Sequence, residues 1–133
     1  MIGAEVRRRV RERAGDRCEY CHTRQADEPF VAYQVEHIVA RQHSGGDEED
    51  NLALACSHCN LHKGPNLAGI DPATGNLAPL FHPRRQSWDE HVAVGGALIE
   101  GKTSCGRVTV RVLAMNAEAR VDLRRELTAN EET

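Results

Sequence analysis

The chain has 133 residues, with 17 Lys and Arg against 20 Asp and Glu and a net charge of −3. That length suits a single compact domain, and the acidic balance gives no chain-wide basic surface, so any affinity for nucleic acid must be local. Aromatic residues make up only 4%, so large side chains fill little of the core and a bound metal is the obvious further support.

In chain order, Ile2, Val6, Val10 and Ala14 recur every fourth residue, which predicts an amphipathic helix over 2–14 stopped by Gly15. The helix is Arg-rich. Glu5 with Arg9 and Arg8 with Glu12 are spaced for ion pairs along its surface, so Arg7, Arg8, Arg11 and Arg13 read either as a solvated face or as phosphate contacts. No apolar stretch approaches the roughly 20 residues of a membrane span, and the Arg-rich start lacks a signal peptide's apolar run, so a cytoplasmic location is expected.

Cys18 and Cys21 form one pair with two intervening residues, and Cys56 and Cys59 form another. Two residues between thiolates let one turn aim both sulfurs at a common point, and four sulfurs at about 2.3 Å complete a closed tetrahedral zinc site. A closed site cannot activate water, so these four Cys are assigned a structural role. A redox pair or unrelated reduced thiols are the competing readings. Cys105, left over, reads as a small buried hydrophobe.

Between the pairs, Phe30 to Ile38 reads as a strand ending at His37. Ser44-Gly45-Gly46 and the acids Asp47 to Asp50 make a loop, which reads as solvated or as a recruiter of a second cation. Asn51 to Ala55 then forms an antiparallel strand, and Ser57 caps a helix carrying Asn60 and Lys63. A hairpin crossed by a helix can bring His37, Asn51 and Asn60 together. Hydrolysis of a phosphodiester with a divalent metal needs a base for water, oxygen ligands for a hard cation and charge stabilisation of the leaving oxygen. His37 offers the base, and Glu36 and Asn60 offer the oxygens. Neighbours on a regular strand face opposite ways, so Glu36 and His37 share a site only if the strand ends or bulges there.

Glu36-His37-Ile38, Gly45-Gly46, Asn51-Leu52, Cys56-Ser57-His58-Cys59-Asn60 and Lys63-Gly64, with Cys18 and Cys21 upstream, resemble the His-Asn-His (HNH) endonucleases. The resemblance covers about residues 14–64. It implies an α+β fold with a ββα-metal finger core stapled by the four-Cys zinc site, an N-terminal helix, and a C-terminal hairpin plus helices. The whole chain, 1–133, is then one endonuclease domain with an extension over about 65–133. It further implies that His37 is the general base, that Glu36 and Asn60 hold a catalytic Mg²⁺ or Mn²⁺, and that Asn51 orients His37. DNA would be cut to leave 5′-phosphate and 3′-hydroxyl ends. Arg7, Arg8, Arg11, Arg41 and Lys63 are candidate nucleic-acid contacts, and His43 and His62 candidate neighbours of the site. The expected partners are DNA and metal ions, with no membrane and no small organic cofactor.

Two departures stand out. Glu36 replaces the more usual Asp or His, and Ala40, followed by Arg41, replaces a usual Pro. The alternative function is therefore a zinc-dependent nucleic-acid-binding module with weak or absent catalysis.

Downstream, Leu80-Phe81-His82-Pro83-Arg84, Trp88, His91 and Gly106 to Val110 look like a small bacterial subgroup of the family. Residues 64–87 read as a long loop pinned by Phe81 and Trp88, with Arg84 and Arg85 as further candidates to face DNA. His91 to Glu100 reads as a hairpin about Gly95-Gly96. Residues after Thr103 read as a helix despite the strand-like alternation of Val108, Val110 and Val112. A last helix over 117–128 is expected to expose Arg120, Arg124 and Arg125.

Overall fold

A computed structural model describes residues 2–132. The chain divides into two compact units, one formed by residues up to Leu67 with His82–Gln86, the other by Ala68–Phe81 with residues from Ser87 onward.

The first unit opens with helix α1 (Ala4–Ala14). Gly15 ends it in the left-handed conformation at φ 65°, which glycine adopts without a Cβ penalty. Val10 is fully buried against the hairpin that follows, and the Arg11 and Arg13 guanidinium groups donate to the carbonyls of Tyr33 and Leu52. Glu5–Arg9 and Arg8–Glu12 pair as their spacing predicts.

Strand β1 (Gln34–His37) pairs antiparallel with β2 (Leu52–Ala55), with Glu36 opposite Ala53 and His37 opposite Leu52. The strand is shorter than the predicted Phe30–Ile38. Gln25 supplies the reason: its side chain donates to Glu28 O and Val31 O and accepts from Tyr33 N, so these backbone groups are satisfied without a ladder. Leu52 to Ala55 are all fully buried, as befits a strand covered on both faces. Helix α2 (Ser57–Lys63) follows at once. Its cap is Cys56, whose Sγ accepts from Cys59 N at 3.3 Å, and not Ser57, which is the first helical residue.

The second unit corrects the predicted long loop. Within 64–87 lies a hairpin of β3 (Ala68–Ile70) and β4 (Leu77–Pro79), closed through Asp71 N to Asn76 O and Gly75 N to Asp71 O. A single-turn helix α3 (Trp88–His91) leads into the expected second hairpin, β5 (Val92–Gly95) and β6 (Leu98–Gly101). Helix α4 (Ser104–Val112), capped by the Thr103 hydroxyl accepting from Gly106 N, packs on β3, β4 and β6 with Cys105, Val108 and Thr109 buried. Gly106 is dictated by contact, because a Cβ there would meet His91 O at 1.8 Å. Helix α5 (Glu118–Glu132) closes the unit. Its Arg residues do not all face solvent as expected. Arg120 is buried, and Arg124 donates to Ala97 O in the β5–β6 turn and to Met115 O in the turn after α4. None of these helices is long and apolar enough to cross a membrane.

Candidate metal and catalytic sites

The four paired cysteines converge. All are buried and reduced, their sulfurs lie within 4.8 Å of one another, and Cys21 Sγ is 3.8 Å from Cys56 Sγ. A tetrahedron with arms of about 2.3 Å has edges of about 3.8 Å, so the cluster matches a four-thiolate zinc site in spacing and donor type. Burial pushes the Cys18 thiol up, while hydrogen bonding with Cys18 first, then Cys56 and Cys59, pulls Cys21 well down. Buried sulfurs this close resist ionising together, and a divalent cation removes that conflict. The knuckle is anchored to the hairpin at both ends. Cys18 N donates to Thr23 O, Glu19 exchanges backbone and side-chain bonds with Leu54, and Cys56 follows directly on β2.

The alternation along β1 sends its polar residues to two faces. Gln34 and Glu36 meet α2, where Asn60 donates its amide to Gln34 Oε1 and Lys63 approaches Glu36. Lys63 Nζ lies 3.3 Å from Glu36 Oε2 and donates to His37 O and Ile38 O; the Tyr20 hydroxyl donates to Glu36 Oε1. Burial raises the Glu36 carboxyl above its usual range, and the Lys63 ammonium and Tyr20 hydroxyl pull against that rise. Lys63 is only 2% exposed. It is therefore an internal cation and does not serve as the nucleic-acid contact expected of it. Arg11 donates one guanidinium nitrogen to Tyr33 O, yet its side chain stays 35% exposed beside Arg7 and Arg8.

His37 ends β1 without a bulge, and its Nε2 lies 2.7 Å from Asp47 Oδ1. Asn51 organises the loop between them. Its Oδ1 accepts from Val39 N, and its Nδ2 donates to Val39 O and to Gly46 O. Gly45 fits only as glycine, since a Cβ would meet Val39 O at 1.8 Å. Arg41 donates to both Asp47 oxygens at 3.0 and 3.2 Å. The His37 hydrogen bond, then the Arg41 charge, hold the Asp47 carboxyl below its ordinary value. The acidic run is accordingly more than a solvated loop: Asp47 holds His37, and Glu49 accepts a forked pair of bonds from Arg9.

Thus His37 and Asn51 belong to one arrangement, while Glu36 and Asn60 face each other's elements across the β1–α2 contact, each already bonded to a neighbour. His43 is exposed in the short 3₁₀ turn Arg41–His43; His62 Nδ1 donates to His58 O, and its ring lies on that of His58 at 4.1 Å between centroids. Arg7, Arg8 and Arg41 remain at the surface. The buried Tyr20 has no signal in the sequence, while Asp47 and the turn His82–Gln86, which carries Arg84 and Arg85, take roles other than the cation recruitment and DNA contact expected of them. That turn lines a cleft of about 480 Å³ with Ser44, Gly46 and Asn51. In it Arg84 pairs with Glu19, and burial pulls its pKa down to about 10.

Residues 18–66 match the family model of the HNH endonuclease domain. No curated protein matches the chain, and no solved structure does. The matched segment takes in both cysteine pairs, the β1–β2 hairpin and α2. HNH domains hydrolyse nucleic acids with divalent metals, so the match implies a nucleic-acid substrate.

Proposed function

We propose that this protein is a metal-dependent DNA endonuclease held together by a structural zinc. The observation that carries the reading is Asn51: one side chain makes three hydrogen bonds that fix the loop against the end of β1, where His37 stands with its ring partly exposed. In this reading His37 takes the proton of the attacking water. Glu36 and Asn60 supply oxygen ligands to Mg²⁺ or Mn²⁺, whose charge would stabilise the phosphorane-like transition state and the departing 3′ oxygen. Water's oxygen joins phosphorus as the bond to the 3′ oxygen breaks, giving 5′-phosphate and 3′-hydroxyl ends. Arg7, Arg8 and Arg41 are the exposed cations available to the backbone. Four cysteines set to hold a metal, with no disulfide among the described residues, suit a reducing compartment, and we assign the protein to the cytoplasm.

Glu36 favours a second reading. Its carboxylate is 8% exposed and bound to Lys63 and Tyr20, so a cation must displace an ammonium to use it. If that exchange does not occur, the domain binds nucleic acid without cutting it. Purified, zinc-loaded protein is expected to nick supercoiled plasmid in Mg²⁺ or Mn²⁺, and His37→Ala to abolish nicking while keeping the wild-type circular dichroism. Undiminished cutting by that variant would overturn the catalytic assignment; retained binding without cutting by the wild type in every divalent metal selects the second reading.

A further inference from the structure

We infer that Asp47 is a positioning residue for His37: its carboxylate fixes the imidazole as the tautomer protonated at Nε2, leaving Nδ1 as the proton acceptor. The inference rests on the reading of His37 as the base. Asp47 Oδ1 lies 2.7 Å from Nε2, and its pKa is held low, so it is ionised near neutral pH and can only accept. The proton of the shared bond therefore sits on Nε2. Among the described residues, Nδ1 has no hydrogen-bonding partner. When Nδ1 takes a proton from water, the imidazolium that forms faces a full negative charge, which favours the transfer.

The loop is built to deliver that carboxylate. Asn51 Nδ2 holds Gly46 O, the carbonyl immediately before Asp47, at 2.8 Å, and Gly45 N donates to Ala40 O in a position closed to any side chain. Arg41 grips Asp47 from the exposed side through both oxygens, fixing the plane of the carboxylate and leaving Oδ1 shared with the ring. The histidine, its orienting carboxylate and the asparagine that fixes the loop form one continuous network.

The test is a long-range ¹H–¹⁵N spectrum of ring-labelled, zinc-loaded protein at pH 8.5, above the ordinary imidazole range, with no substrate or Mg²⁺ added. His37 is expected to show a protonated Nε2 and an unprotonated Nδ1. In Asp47→Asn, that preference is expected to be lost, the plasmid-nicking kcat to fall by about 10²-fold with KM little changed, and Asp47→Glu to recover part of both. A wild-type ring protonated at Nδ1, or an Asp47→Asn variant with wild-type tautomer and wild-type kcat, overturns the inference. Because the spectrum needs no catalysis, the tautomer result stands apart from the base assignment, which fails instead if His37→Ala still cuts.

Discussion

Lys63 and Glu36 form an ion pair inside the first unit, Nζ to Oε2 3.3 Å, with side chains only 2% and 8% exposed. The same ammonium donates to the carbonyls of His37 and Ile38, so one buried charge ties α2 to the end of β1. Removing one member of such a pair leaves the other uncompensated, which costs about 3–5 kcal/mol. Lys63→Met is therefore expected to lower the urea midpoint sharply, and Lys63→Met combined with Glu36→Gln to recover much of the loss. A double variant no more stable than the single one would show that the carbonyl contacts, and not the charge pair, carry the stabilisation.

The zinc knuckles should behave as a folding site. Structural zinc in small domains contributes about 10–16 kcal/mol of binding, comparable to or above the stability of a whole domain. Stripping the metal with a strong chelator is expected to abolish the cooperative melt of the first unit, and equimolar Zn²⁺ to restore it where Mg²⁺ does not. Cys56→Ser should be especially damaging, because that sulfur also caps α2 through Cys59 N. A melt unchanged by chelation would remove the metal from the account of stability.

Asn51 makes three side-chain hydrogen bonds to the backbone, and at about 1 kcal/mol net each its loss costs about 2–3 kcal/mol. Asn51→Asp separates the two halves of the clamp. It keeps the acceptor for Val39 N but loses both donors, to Val39 O and Gly46 O. Hydrogen exchange of the 44–47 loop is expected to accelerate in Asn51→Ala and in Asn51→Asp. In both, nicking should fall well beyond what the stability loss explains, since the loop carries Asp47 to His37. Retained wild-type nicking by Asn51→Asp would mean the loop needs no such fixing.

Much of this was legible in the sequence because the informative signals are local. Two cysteines two residues apart must turn back on each other, and the order of His37, Asn51 and Asn60 follows a hairpin and a helix. Strain and capping signals also hold at short range, as at Gly15 and Thr103. Partners chosen by burial were not legible. Lys63 reads as a phosphate-binding cation until its 27-residue return to Glu36 is known, and nothing within the run Asp47-Glu48-Glu49-Asp50 distinguishes the acid that meets His37. The β3–β4 hairpin hid because each strand has three residues, including Gly69 and Pro79, although Asp71-Pro72 and Thr74-Gly75 mark its turn. Arg120 is buried and Arg124 donates to two backbone carbonyls, and charge patterning on a helix reveals neither.

Asp71 supplies a pH-dependent element in the second unit. It accepts a forked pair of bonds from Arg107 Nε and Nη2 at 2.9 and 2.8 Å, and further bonds from Ala73 N and the Thr74 hydroxyl. The Arg107 interaction is the main cause holding its carboxyl far below the usual range. A carboxyl lowered on folding contributes stability that is complete above the unfolded-state value of about 3.9 and is lost as pH falls through the lower folded value. The unit should therefore lose stability on acidification below about pH 4, where the Asp71 carboxyl of the unfolded chain binds a proton that the folded one still refuses. Asp71→Asn is expected to destabilise it at pH 7 and to flatten the acid limb, so that the two proteins converge in stability as pH falls. Chemical melts from pH 7 to pH 2.5 would show this convergence; parallel curves with a constant gap would mean that Asp71 acts through its geometry alone, with its charge contributing nothing.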